Sequence, residues 1–377
     1  MIAYVRTDGI YNDSRATKEI TSLLDSGYSV LVIGWDRSGS ASEKCKLVFE
    51  NKTDIEFAFF DSKVNHIGIK NINKLLDWFG FVKSTLFRYT SVITAVHACN
   101  LDAGIPCYQY CRKTKKPMIY DIYDYYIDAH RLPKMLVPVI ENIEIKIINF
   151  SCLSIICTEE RKEQIKKSKP QKLVVIHNSP SVSKSTFEKN PAVKYDYFYC
   201  GVLGGGRLIH EILAENDGHL KMGFAGYGDY ISNINEINSK YANIEYLGEI
   251  SYSECLYYEQ QSICLSAIYQ PSIRNHKLCA PNKFYEALAL GKPVIVCRGT
   301  GIDKIVEKNN IGVVIDYDPR QFYEAIDKLK NDLNYCNDVR DRARKLYDEV
   351  YSWDIMSKRL IESYIAIAKP DRERINI

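Results

Sequence analysis

Residues 279–296 read "CAPNKFYEALALGKPVIV", and the fold follows from this stretch. Ala287 and Leu290 continue a helix, Gly291 supplies a left-handed stop, and residues 293–296 begin a buried strand. A helix delivered by a glycine straight into an apolar strand is the repeating step of a parallel α/β sheet. The front of the helix is less ordinary, because Asn282, Lys283 and Glu286 crowd its first turn beside "FYEALAL". Capping and surface solvation are one reading. The other is a ligand: a lysine and free helix-start amides neutralise a diphosphate, and a glutamate one turn on accepts two hydrogen bonds from a vicinal diol such as ribose.

The same alternation runs along the whole chain. Strand-like runs "IAYVRT", "SVLVIGW", "IEFAFF", "VITAVHA", "PMIYDIYD", "LSIICT" and "LVVIHN" fill the first half. "YDYFYCGVL", "LKMGFAG", "IEYLGEI", "ICLSAIY", "PVIVCR" and "GVVID" fill the second. Apolar strands separated by helix-length segments predict sheets covered on both faces, and the series is too long for one sheet. It breaks at the polar, proline-bounded residues 179–194, read as a linker. The expectation is α/β: two Rossmann-like doubly wound domains facing across a cleft, over residues 1–180 and 181–354. Residues 355–377 have helical periodicity with no strand to follow, and are expected to cross back to the first domain.

The 377 residues are 46% hydrophobic and 26% charged, a balance that excludes wholesale disorder. No apolar run reaches the ~18 residues of a membrane span, and no signal-like segment opens the chain. The 12 cysteines are scattered without zinc-like spacing, so reduced thiols in a cytoplasmic protein are expected. Residues 1–180 hold 25 Lys+Arg against 20 Asp+Glu, too weak a bias for a nucleic-acid partner. Within residues 66–90, Lys70, Lys74, Lys83 and Arg88 interleave with Trp78, Phe79, Phe81 and Phe87. That pattern suits peripheral membrane contact or a core-facing helix with a wet side.

In open α/β sheets ligands bind beyond the carboxyl ends of strands. Candidates there are Gly204 and Gly205 with Arg207 after one strand, Gly226 after the next, and the Asn282, Lys283, Glu286 turn. In the first half His97 stands at a strand end with Asp102 close behind, and Asp8 and Gly9 follow the first strand. Asp13 or Ser14 is placed to cap the next helix, which carries Arg15. Asp121, Asp124, Asp128 and His130 cluster in "YDIYDYYIDAH", where turn and cap roles are favoured over a metal site.

Taken in order, "NDSRATKEITSLLDSGYSVLVIGWDR", "AVHACNLDAG", "IYDIYD", "YCGVL", "FAGYGDY", "NIEYLGEISYSE", "PNKFYEALALGKPVIV" and "YSWDIM" resemble a family 4 glycosyltransferase of the GT-B type. The resemblance implies transfer of a sugar from a nucleotide-sugar donor, with retention, to a saccharide or lipid-linked acceptor of surface polysaccharide synthesis. No cofactor or metal is implied. Glu286 resembles the glutamate that holds the donor ribose, and Arg207, assisted by Lys283, the contact to the diphosphate. His97 resembles the histidine that reaches the transferred sugar. Gly204, Gly205, Gly226 and Asn282 fall on the donor side; Asp8, Gly9 and Asp102 fall on the acceptor side. The chain departs from the pattern at Leu278, where many members carry an earlier glutamate, and at Tyr123 and Asp124, where His and Glu are common. An alternative reading is a non-catalytic GT-B subunit of an assembly complex.

Overall fold

A computed structural model describes residues 1–62, 72–182 and 192–368. Its contacts divide the chain into one unit of residues 1–177 and 356–377 and a second of residues 178–355. Residues 178–180, expected in the first domain, side with the second. Asn178 donates to the Ala280 carbonyl at 2.9 Å, and Tyr347 donates to that of Pro180 at 2.7 Å. Most of the expected linker lies outside the described residues.

The first unit is built on β1 (Ile2–Arg6), β2 (Val30–Asp36), β3 (Ile55–Asp61), β4 (Ala95–Cys99), β5 (Met118–Ile122), β6 (Leu153–Ile156) and β7 (Leu173–Val175). They form one sheet in the order β3-β2-β1-β4-β5-β6-β7, and every pairing is parallel. The second unit carries β8 (Tyr195–Val202), β9 (Met222–Tyr227), β10 (Ile244–Tyr246), β11 (Ser262–Ala267), β12 (Val294–Cys297) and β13 (Gly312–Ile315). Their order is β10-β9-β8-β11-β12-β13, again all parallel. Every strand read from the sequence is present. Runs such as β2 and β4 are buried along their whole length, as strands covered on both faces must be.

The helices that position candidate residues are α1 (Ser14–Asp25), α2 (Ile72–Arg88), α3 (Asn100–Thr114), α4 (Val137–Phe150), α5 (Tyr252–Gln260), α6 (Asn282–Leu290) and α7 (Trp353–Ile365). From Met356 onward α7 belongs to the first unit, where Arg359 donates to the Val175 carbonyl at 2.7 Å. Tyr28 holds the Ala368 carbonyl at 2.8 Å. The return of the C-terminal helix is thus made by specific polar contacts.

In the aromatic segment the core-facing alternative describes three of the four rings. Lys70 lies outside the described residues, but Trp78 on α2 is fully buried, 5.7 Å from Trp35, and donates to the Asp102 carbonyl at 3.2 Å. Phe79 and Phe81 pack on the same core. These rings face inward because α2 has a sheet to cover, which leaves only Phe87 of the four aromatics exposed. Among the described residues no helix is long and apolar enough to cross a membrane.

Candidate active site

Helix α6 starts after Pro281 in an extended conformation, and no side chain caps its first amides. Its positive end is therefore open to an acceptor. Lys283 turns inward and donates to Glu259 Oε1 at 2.6 Å and Glu286 Oε2 at 2.7 Å. It also meets Cys255 Sγ at 3.2 Å. Both carboxylates are buried. Burial alone would lower the lysine pKa, but Glu259 and Glu286 hold it well above its usual value. Burial, reinforced by Cys255, pushes the Glu259 carboxyl well up despite Lys283. Lys283 set between two buried carboxyls limits the cost of taking these charges out of water. Asn282, at the head of the same turn, is exposed.

The glycine turn after β8 sits close by. Of its three glycines only Gly206 has a left-handed φ, +76°, and a Cβ there would come within 2.6 Å of the His276 ring. Gly204 and Gly205 do not need positive φ, and the space around Gly205 is open apart from the Tyr230 hydroxyl. Arg207 donates to the Gly205 carbonyl at 3.3 Å, with its guanidinium 5.4 Å from the centre of the Tyr269 ring. Burial raises the Tyr199 pKa, while the charges of Arg207 and Lys283 act to lower it.

Gly226 does not fit its expected donor role. Its φ is +115°, a Cβ would lie 2.0 Å from the Gly201 carbonyl oxygen, and its amide already donates to Gly248 at 2.8 Å. It is glycine so that β8 and β9 can approach, and it has no amide to spare for a ligand.

In the first unit, Asp13 caps α1 by accepting from the amides of Arg15 and Ala16, each at 3.0 Å. Arg15 then turns into the core and forks onto Asp121 at 2.9 and 3.1 Å, with Glu19 at 3.0 Å. His97 is enclosed between them. It stacks on Tyr4 at 4.3 Å, hydrogen-bonds the Tyr364 hydroxyl through Nδ1, and holds Nε2 3.6 Å from Asp121. His97 has no exposed surface, so the expectation that it reaches a transferred sugar is replaced by a buried network that anchors α7. Cys99 completes a possible cation cage with His97 and Asp121, but Arg15 already occupies both Asp121 oxygens and would repel a metal ion.

Gly9 is packed in a turn, its amide on the Asp8 carboxylate at 2.8 Å and its carbonyl accepting from Cys45 at 3.3 Å. Asp102 lies in the first turn of α3, and burial raises its carboxyl above the usual range in spite of His130 and Tyr126. Asp124 pairs with Arg161 at 3.1 Å and Asp128 accepts from Gln164 at 2.8 Å, both local structural roles.

Residues 207–332 match the family described as Glycosyl transferases group 1. The match spans about a third of the chain. It contains Arg207, Asn282, Lys283 and Glu286, while Gly204 and Gly205 lie just before it. A 92-residue stretch is 32% identical to "Putative glycosyltransferase YtcC" of Bacillus subtilis (strain 168), covering 24% of this chain and 23% of that one. The chain therefore aligns with about a quarter of that relative's length. The backbone resembles sucrose-phosphate synthase (tll1590) from Thermosynechococcus elongatus, with a TM-score of 0.73 and 13% identity over 97% of this chain and 98% of that one. It also resembles Anabaena Alr3699/HepE, solved in complex with UDP-glucose, with a TM-score of 0.71 and 14% identity over 97% and 99% of the two chains. The fold is the GT-B fold of glycosyltransferases.

Within the matched residues, the sequence reading missed Glu259 and Cys255. They lie one helical turn apart on α5, and Cys255 donates to Glu259 at 3.5 Å. The spacing in "ECLYYEQ" puts both on one face, but nothing local says that Lys283 will meet them. Tyr199 and Tyr269 were missed because they read as strand and loop aromatics.

Proposed function

We propose that the protein is a glycosyltransferase that takes a nucleotide-sugar donor on its second unit and an acceptor on its first. The observation that carries this is the Lys283–Glu286 pair on the uncapped first turn of α6, with Arg207 in the same group 1 match. Glu286 accepts hydrogen bonds from the ribose diol, as charge-assisted contacts of a carboxylate do. Arg207, Lys283 and the open amides of α6 stabilise the charge that builds on the departing diphosphate. These cations supply the electrostatic work without a metal cofactor. The HepE relative, solved with UDP-glucose, makes UDP-glucose the first donor to try. Retention at the anomeric carbon and a saccharide or lipid-linked acceptor of surface polysaccharide synthesis complete the reading.

The test is a panel of UDP- and GDP-sugars against the full chain, read by thermal shift and by donor hydrolysis. At a hundredfold excess over Kd, a ligand stabilises by about 2.7 kcal/mol, which is several degrees for a unit of this size. A donor that both raises the melting temperature and is turned over supports the reading. A panel without any shift rejects it.

A further inference from the structure

The sheet of the second unit changes direction at one place. In the order β10-β9-β8-β11-β12-β13 the chain steps outward from β8 through β9 to β10 on one side, and from β11 through β12 to β13 on the other. β8 and β11 are parallel neighbours, with Tyr195 opposite Ser262 and Tyr197 opposite Cys264. The connections that follow them part to opposite sides, and ligands of open α/β sheets enter the crevice left beyond the carboxyl ends of such a pair. One wall of that crevice is the glycine turn that carries Arg207. The other is residues 268–277, after β11, from which the function proposed above takes no residue.

The two walls are joined at the base, where the Gln270 amide donates to the Gly206 carbonyl at 2.9 Å. The second wall then closes in a helical turn, Arg274–Lys277. Arg274 and Lys277 are exposed, whereas His276 is half-buried against the glycine turn. Its ring lies where a side chain of residue 206 would be: a Cβ on Gly206 would stand 2.6 Å from Cε1 and 3.2 Å from Nδ1. The absence of that side chain lets the imidazole rest on the backbone of the turn. The ring also meets Tyr269 edge-on, with 5.2 Å between centres and 82° between planes. The Arg207 guanidinium lies 5.4 Å from the centre of the same Tyr269 ring. Tyr269 therefore holds a cation from one wall and an imidazole from the other. Both touch the glycine turn, Arg207 at the Gly205 carbonyl and His276 at Gly206.

We propose that His276 is a further donor-site residue, an imidazole that donates a hydrogen bond to the diphosphate of the nucleotide-sugar from the wall opposite Arg207. This rests on the donor-site reading above. A diphosphate over the glycine turn has more acceptor oxygens than one guanidinium meets, and an N–H aimed at an anionic oxygen makes a charge-assisted bond. Leu278, just beyond, is apolar and has no donor to offer. A ring that served only to fill the space beside Gly206 would need no nitrogen, and that difference is measurable.

The experiment measures binding of UDP, GDP and inorganic pyrophosphate to the full chain by calorimetry, in wild type, His276→Phe and His276→Gln. Phenylalanine keeps a ring against Gly206 and Tyr269 without a donor; glutamine keeps an N–H donor without the ring. The expected result is that His276→Phe weakens the nucleoside diphosphate that the wild type binds by about tenfold or more, the effect of one charge-assisted hydrogen bond, at an unchanged melting temperature. His276→Gln should keep most of the wild-type affinity. Should His276→Phe not fold, His276→Ala takes its place. Wild-type affinity in the variant without a donor, or a loss in His276→Gln as large as in His276→Phe, would overturn the proposal and leave the proposed function standing. A wild type that binds pyrophosphate but neither nucleotide, with pyrophosphate lost in His276→Phe, would keep the anion contact and refute the proposed function. A wild type that binds none of the three would overturn both.

Discussion

Lys283→Met tests the central geometry. The lysine is the only cation seen to touch Glu259 and Glu286 among the described contacts, and both carboxyls are almost without solvent. Removing one partner of a buried ion pair costs about 3–5 kcal/mol, because the remaining charge has neither water nor a counterion. The second unit spans residues 178–355, a size at which each kcal/mol moves the melting temperature by about 2–4 °C. The variant should therefore lose roughly 6–20 °C at pH 7.5 by scanning calorimetry. The pH dependence has a defined sign. Burial raises the Glu259 carboxyl above its unfolded-chain value and Lys283 opposes this, so without the lysine the penalty is present at neutral pH and shrinks as the pH falls and both states take up protons. Adding Glu259→Gln should recover a good part of the loss, since one buried carboxyl is removed with the lysine. A loss below about 1 kcal/mol, the range of an exposed pair, would refute the reasoning. So would a loss that stays constant from pH 5 to 8.

Glu286→Ala should raise the donor KM by about tenfold to a hundredfold, the worth of a charge-assisted hydrogen bond, in steady-state kinetics. Arg207→Ala should instead lower kcat by on the order of a hundredfold, because it meets charge that develops on the leaving diphosphate; unchanged kinetics in both variants would reject the site. Glu144 on α4 accepts from Tyr120 at 2.9 Å and the Tyr126 amide at 3.1 Å, and burial pushes its pKa up to about 8. The folded state thus holds a proton that the unfolded chain releases at lower pH. Stability of the first unit should fall as pH rises from about 4.5 through 8, and Glu144→Gln should remove a slope worth on the order of 5 kcal/mol in urea titrations. Gly226→Ala should destabilise the second unit by ~3 kcal/mol or more in the same assay, because it combines strained backbone with a collision on Gly201.

What could be read from the chain follows from period and continuity. Strands such as "VLVIGWD" and "VIVC" are apolar throughout because helices cover both faces, so the sequence alone yielded all the strands and the double α/β architecture. The first turn of α6 stood out because polar residues were embedded in an apolar helix that feeds a buried strand. Orientation was a different matter. The rings of α2 alternate with lysines, and helical period cannot say whether Trp78 meets lipid or core; the neighbouring Trp35 on β2 decides it.

The sequence by itself determined which residues carry charge at strand ends and helix starts, since those positions are set by local hydrogen bonding and hydrophobic period. Only the tertiary structure decided what they face. His97, expected at a strand end, is the middle residue of β4, and it is enclosed as Tyr364 arrives from α7, 267 positions away in the chain. Lys283 turns inward because α5 brings Glu259 and Cys255 against it. A buried charge takes its position from the counterions that folding brings to it, and those partners are not neighbours in sequence.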